Sequence, residues 1–160
     1  MGGGVVLTSI HELDYLYWIF GDIAEIFSIT GKYSNLGIDA EDLSSILLKF
    51  KNNIVGEVHL DYFQKPSNRG CKIVGSKGTL TWNISKNNIN FFNNKTGKWE
   101  KLFEIKNFDF NTTYIEEIKH FLHCSTNNKK TINDIEQGTQ VLKIALKVLK
   151  SSRSKKMEKL

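Results

Sequence analysis

Cysteine, arginine and proline are all scarce in this chain. Cys71 and Cys124 are the only cysteines among 160 residues, too few for a disulfide scaffold at this length. They form no C-x-x-C pair. Each reads as a small core side chain. Of the 22 basic residues only Arg69 and Arg153 are arginine. The net charge of +5 therefore lacks the side chain that grips phosphate bidentately and reads bases. Much of the basic excess lies in "KVLKSSRSKKMEKL", which reads as a frayed, solvated end. Nucleic acid is not an expected partner. The one proline, Pro66, sits in a loop, "QKPSNRG".

Long apolar runs are missing too. No stretch of 18 apolar residues occurs, so no membrane-spanning helix is expected. No charged segment precedes a short apolar one, so no signal peptide is expected. The glycosylation sequons at Asn83, Asn94 and Asn111 are then expected to be unused, and the expected location is cytoplasmic. Metal-ligand spacing is absent as well. His11, His59, His120 and His123 contain no H-x-x-x-H pair. His120 and His123 share a predicted helix face without a further ligand, so no metal site is expected.

What is present is a core. Hydrophobic residues make up 40% of the chain, with ten Phe, five Tyr and three Trp. Such a sequence folds, and its length fits a single domain over residues 1–160. A helix is predicted over 9–20. Ser9 and Glu12 form an S-x-x-E capping box. Ile10, Leu13, Leu16, Tyr17 and Phe20 make an apolar stripe, and Gly21 is a natural stop. On another face His11, Tyr15 and Trp18 align at i, i+4 and i+7.

The period then changes to that of strands, over 22–106. "AEIFSITGKY" is one. "DLSSILLKF" and "IVGEVHLDYF" form a hairpin about an Asn-rich turn. In the latter, Ile54, Val58, Leu60 and Tyr62 are expected in the core. Val55, Glu57, His59, Asp61 and Phe63 fall on the opposite face, expected to be solvated or covered by a partner. "CKIVGSKGTLTWN", "NINFFN" and "WEKLFEIK" add more strands with short, antiparallel connections. Two helices follow, over 112–124 and 133–152. The first has Asn111 or Thr112 as cap and Ile115, Ile118, Phe121 and Leu122 as its apolar face. The second has an Asn133–Glu136 capping box and a buried face of Ile135, Val141, Leu142, Ala145, Val148 and Leu149. The predicted fold is α+β: an open, mostly antiparallel sheet of six or seven strands with helices on one face.

Phosphate-binding glycine motifs are not found. Gly2, Gly3 and Gly4 are followed by no Gly-Lys-Ser/Thr, and no G-x-G-x-x-G occurs. "VGSKGT" lies between two strands and reads as a hairpin turn, because no helix N-terminus follows it. No nucleophile–base pair stands out. His11 is the residue best placed for chemistry. A first-turn histidine can exchange a proton with a substrate oxygen. It can equally be a histidine packed on Tyr15 and Trp18, and helix geometry alone leaves both readings open.

"GGGVVLTSIHELDYLYWIFGDI" resembles the start of the C-terminal domain of the Gfo/Idh/MocA oxidoreductases, relatives of glucose–fructose oxidoreductase and inositol dehydrogenase. That pattern is a glycine run, an apolar strand and a His opening a helix that ends near W-L-F-G. "DLSSILLKFKNNIVGEVHLDYFQ" resembles the family's central hairpin, and "RGCKIVGSKGTLTWN" its x-I-x-G-x-x-G-T-L-x-W strand pair. "YIEEIKHFLHC" and "TINDIEQGTQVLKIALKVLKSS" resemble its last two helices. The resemblance covers nearly the whole chain, in order.

The resemblance implies a dihydrodipicolinate-reductase-like C-terminal domain that forms the substrate wall and an oligomer interface through an open sheet face. NAD or NADP and a catalytic lysine are implied for a complete enzyme, held by a Rossmann domain whose motifs do not occur here, so no cofactor-binding residue is assigned. The reaction implied is hydride transfer at a sugar or polyol hydroxyl. His11 is implied as proton donor or acceptor. Thr8 and Tyr15, from helix geometry, and Lys65 and Arg69, in the strand-exit loop, are candidate substrate contacts. Leu7 or Thr8 stands where the family often has Asp. Without the cofactor half, the chain alone is expected to be inactive. The alternative is a stand-alone interaction module that associates through its sheet.

Overall fold

The computed structural model describes residues 3–160. Two short helices come first, α1 (Val5–Thr8) and α2 (His11–Phe20). Seven strands follow: β1 (Ile23–Gly31), β2 (Leu43–Phe50), β3 (Val55–Asp61), β4 (Gly70–Gly75), β5 (Gly78–Asn83), β6 (Asn88–Asn93) and β7 (Lys98–Glu104). Then come α3 (Asn111–Thr126), α4 (Ile135–Ser154) and a last short strand, β8 (Glu158–Lys159). The α+β class and the antiparallel pairing agree with the sequence reading. The strands divide into two four-stranded sheets, ordered β3-β2-β1-β8 and β4-β5-β6-β7, rather than one sheet of six or seven. The chain forms two compact units, Met1–Phe63 with Ile132–Leu160, and Gln64–Thr131.

In the first unit the strand period decides what is inside. Along β2, Ser44, Ile46, Leu48 and Phe50 are buried while Ser45, Leu47 and Lys49 are exposed. The register sets Ile26 of β1 opposite Leu48, and Ile46 opposite Val58 of β3, so one face of the sheet is continuous core. Leu13 and Leu16 of α2 and Ile144, Ala145 and Val148 of α4 pack into the same cluster. Ile54 and Tyr62, expected in the core, are 36% and 39% exposed. They flank β3 rather than lie in it, so the alternation of the strand does not bind them.

The apolar run before His11 is helical rather than extended. Val5 and Val6 of α1 are buried. Neither predicted capping box closes. The start of α2 has Ile10 at the cap and no side-chain cap bond; the Glu12 N–H donates to the Ser9 carbonyl instead. The cap of α4 is Asp134, whose carboxylate accepts from the Gln137 N–H at 2.9 Å. Asn133 is one residue too early for this role. Gly21 does end α2, at φ 81°, and its N–H donates to the Tyr17 carbonyl. That φ suits glycine and few other residues.

The basic end is not frayed. Lys155 turns the chain in the left-handed conformation, and β8 pairs with Glu25 and Ile26 of β1. The Glu158 carboxylate is nearly buried and lies 2.8 Å from Lys150 Nζ and 3.3 Å from Lys147 Nζ. These lysines, which read as excess charge, are the partners of one carboxylate; the Lys150 hydrogen bond leads in holding it below the usual carboxylate range, against burial.

β8 covers only the first part of the β1 edge, and serine hydroxyls of α4 serve the rest. Ser151 Oγ accepts from the Ser28 N–H at 3.1 Å, and Ser152 Oγ accepts from the Thr30 N–H at 2.9 Å. Ser152 also donates to the Thr30 carbonyl. These contacts satisfy backbone groups that a longer β8 would have paired. Ser151→Ala is therefore expected to leave a buried N–H unpaired and to cost ~1–3 kcal/mol of stability, read from the urea midpoint.

α4 buries Val141, Ile144, Ala145 and Val148. Ile135 and Leu142, placed on its buried face by spacing, are 79% and 44% exposed, and Ile144 takes the inward place. The error is one of phase along a helix whose stripe is narrow.

The second unit is a meander, β4 to β7, with Ser76-Lys77 as the turn between β4 and β5. No helix follows that turn, in keeping with the hairpin reading of "VGSKGT". Cys71 is half-buried, more open than expected, and Cys124 is buried. In α3 the Asp109 carboxylate accepts from the Asn111 N–H, and neither Asn111 nor Thr112 is the cap. Only Cys124 of α3 is buried. Ile115, Ile118, Phe121 and Leu122 are 44–60% exposed, contrary to the sequence reading. Helical spacing shows which residues share a face, not whether anything covers it.

Candidate functional site

The segment that leads into His11 is seated against the residues just before β2. The Asp42 carboxylate is fully buried and accepts from the Tyr33 N–H at 2.7 Å, the Ser34 N–H at 3.1 Å and the Ser34 hydroxyl at 2.5 Å. These bonds fix the connection between β1 and β2. The residue before it, Glu41, accepts from the Val5 N–H through its carbonyl at 2.9 Å, which seats α1. The Glu41 side chain lies against Gly4, where a Cβ would collide with the carboxylate, and Oε1 is buried without a hydrogen-bond partner. Met1 and Gly2 lie outside the described residues.

α1 ends at Thr8, whose hydroxyl donates to the Gly3 carbonyl at 2.9 Å. One turn later His11 opens α2. Its imidazole is half-exposed, and Nε2 lies 3.1 Å from Oε1 of Glu12, a carboxylate that is only 10% exposed. A nearly buried carboxylate beside an accessible imidazole orients the ring, and an oriented, accessible imidazole can exchange a proton with a substrate oxygen. The sequence reading missed Glu12, having assigned it to a capping box. The only signal was its adjacency to His11. Tyr15, one turn on, is half-buried and packs on the core cluster. Trp18, at the end of the same stripe, is 68% exposed. His11 itself is exposed and lies outside the core cluster.

Thr8, His11 and Tyr15 belong to the first unit, Lys65 and Arg69 to the second. Lys65 is exposed in its loop. The Arg69 guanidinium sits 5.8 Å from the centroid of the Trp82 ring, a cation–π contact that gives it a structural role.

The burial of Asp42 works against its charge, but the hydrogen bonds from Ser34 and from the Tyr33 and Ser34 amides outweigh burial and hold its pKa below the ordinary value. A lowered folded-state pKa stabilises the fold above the unfolded carboxylate pKa of about 4, and that contribution is lost as pH falls through the folded value. Asp42→Asn is expected to flatten the acid limb of the stability profile, measured as melting temperature against pH from about 6 to 2. An unchanged acid limb would assign acid sensitivity elsewhere.

Among the described residues no group of three or more His, Cys, Asp or Glu could hold a metal ion. No helix of the described residues is long and apolar enough to cross a membrane. Nor do the described residues offer a strand–glycine turn–helix cradle for a nucleotide: the Gly75–Gly78 turn joins two strands, and α1 has only four residues.

A family model described as "Oxidoreductase family, C-terminal alpha/beta domain" matches residues 1–160. The chain belongs to the Gfo/Idh/MocA oxidoreductase family. Solved structures of the same fold agree. An oxidoreductase domain protein from Kribbella flavida superposes with a TM-score of 0.86 at 17% identity, over 99% of this chain and 50% of that one. Levoglucosan dehydrogenase, solved with NADH, gives 0.85 at 16% identity over 99% and 50%. The WlbA dehydrogenase from Bordetella pertussis, solved with NADH and UDP-GlcNAcA, gives 0.75 at 20% identity over 99% and 48%. Among curated proteins no sequence matches. This Gfo/Idh/MocA chain spans about half the length of those structures.

Proposed function

We propose that this chain is the substrate-binding and oligomerisation half of an NAD(P)-dependent oxidoreductase that acts on a sugar or polyol hydroxyl. The observation that carries the reading is the pairing of half-exposed His11 with nearly buried Glu12 at the first turn of α2, in a chain of this family. His11 takes a proton from, or returns it to, the hydroxyl oxygen of the substrate. Glu12 orients the imidazole. Thr8, at the end of α1, and Tyr15, one turn along α2, are its companion substrate contacts. Hydride exchange belongs to a nicotinamide, and the described residues of this chain do not fit one. The chain by itself is therefore inactive in hydride transfer. Calorimetric titration with NADH and NADPH tests this division of labour. The expected result is no saturable binding, and tight binding of either nucleotide would overturn it.

The oligomer contact in this proposal is the outer face of the first sheet. There Ile29, Leu47 and Val55 are 54%, 49% and 70% exposed. Glu57 stands opposite Leu47 and Lys49 opposite Val55 on the same face, and a mixed face with exposed apolar side chains suits a second copy in an isologous contact. Leu47→Glu is expected to convert a dimer to a monomer by sedimentation, without unfolding it, because the side chain already faces out. A wild-type chain that stays monomeric at high concentration sinks the oligomer claim.

A further inference from the structure

The far end of α2 holds a feature that the His11 reading does not use. Tyr17 and Trp18 on α2, Asp22 and Lys51 beside it, and Gln137 and Gln140 on α4 border an open groove of about 820 Å³. All of it lies within the first unit. Gly21 faces open space, so no side chain fills the mouth at the helix end. Buried Ile23 contributes to the groove's lining.

The chemistry of the walls selects a ligand class. Charge is balanced: Asp22 and Glu136 face Lys51 and Lys143. Lys51 Nζ is already 2.8 Å from Asp22, and Lys143 and Glu136 are the other charged side chains of the lining, so neither sign is in excess. The carboxamides of Gln137 and Gln140 make no side-chain hydrogen bond among the described residues. Each offers donors and an acceptor. Trp18 presents a bare indole. A ligand with hydroxyls that both donate and accept, with C–H faces that lie on an aromatic ring, and with no net charge satisfies all three features. The volume falls within the range of small-ligand sites.

We propose that this groove binds a neutral saccharide, with Trp18 as the stacking platform and Gln137 and Gln140 as partners for its hydroxyls. The site lies seven residues along α2 from His11, ~10 Å of helix rise. It stands independently of the assignment of His11.

The test is calorimetric titration of the chain with glucose, N-acetylglucosamine and maltose, with adenosine and inorganic phosphate as comparison probes. Saturable binding of at least one sugar, with a Kd of about 1 mM or tighter, is expected. Trp18→Ala should weaken it by about tenfold or more, as loss of an anchoring aromatic does. The double change Gln137→Ala and Gln140→Ala should weaken it with the indole intact, and circular dichroism should show both variants folded. Sugar held at His11 instead would be insensitive to both groove variants, so failure of the groove and failure of the His11 assignment are told apart. No saturable sugar binding up to ~50 mM overturns the proposal, as does binding that neither groove variant weakens. Tighter binding of adenosine or phosphate than of any sugar overturns the ligand class.

Discussion

Phe50→Ala is expected to cost the first unit about 3–5 kcal/mol, the range for removing a fully packed aromatic ring. Phe50 is 1% exposed at the end of β2. Its ring centroid lies 5.5 Å from that of Phe20, the last residue of α2. The ring therefore joins the sheet to the helix that carries His11. Truncation leaves a cavity at that junction, and the surrounding strands and helix cannot collapse to fill it without moving α2. Domain stabilities are about 5–15 kcal/mol, so the loss removes a large part of the total. The check is urea unfolding followed by circular dichroism. Leu47→Ala, three residues earlier on the outward face, serves as the comparison and should change stability by no more than about 0.5 kcal/mol. Equal effects of the two changes would mean that the alternation along β2 does not set the core.

The second large effect concerns chemistry. In an enzyme that contains this chain together with its dinucleotide-binding half, His11→Ala is expected to lower kcat by about 10²–10⁴-fold, the usual weight of a positioned acid or base. The fold should survive, because the imidazole is half in solvent and contributes little packing. The measurement is sugar-dependent reduction of the nicotinamide, with circular dichroism on the same sample. Glu12→Gln keeps the size of the side chain and removes its charge, so it reports on positioning separately and should lower kcat less than His11→Ala does. Full turnover in His11→Ala would remove the histidine from the reaction.

Much of this architecture was legible in the order of residues. Leu13 and Leu16 in a 3.6 period, Gly21 as the stop, and the alternation of Ile46, Leu48 and Phe50 are local patterns with direct physical causes. A side chain two residues along a strand returns to the same face, and one three or four residues along a helix does the same. The family resemblance was carried by ordered motifs and needed no coordinates. His11 was marked by its place at a helix start.

Other features depend on residues far apart in sequence. The pairing of β8 with β1 brings Glu158 beside Ile26, and a two-residue strand has no period to detect. The lysines around Glu158 read as loose charge until the carboxylate was placed among them. The Asp134 cap differs from the predicted Asn133 by one residue, because both side chains can accept an amide and only the path of the backbone chooses between them. Glu12 looked like half of a capping box, and only the path of α1 into α2 turned its carboxylate toward His11. The apolar stripe of α3 is real in sequence and uncovered in the structure, since amphipathic spacing specifies a face but not its neighbour. The sequence by itself determined the long elements, their order and the family. The tertiary structure decided which backbone edges are satisfied, which carboxylate meets which base, and that the far end of α2 opens into a groove. Those outcomes require contacts between distant segments, and periodicity carries no information about them.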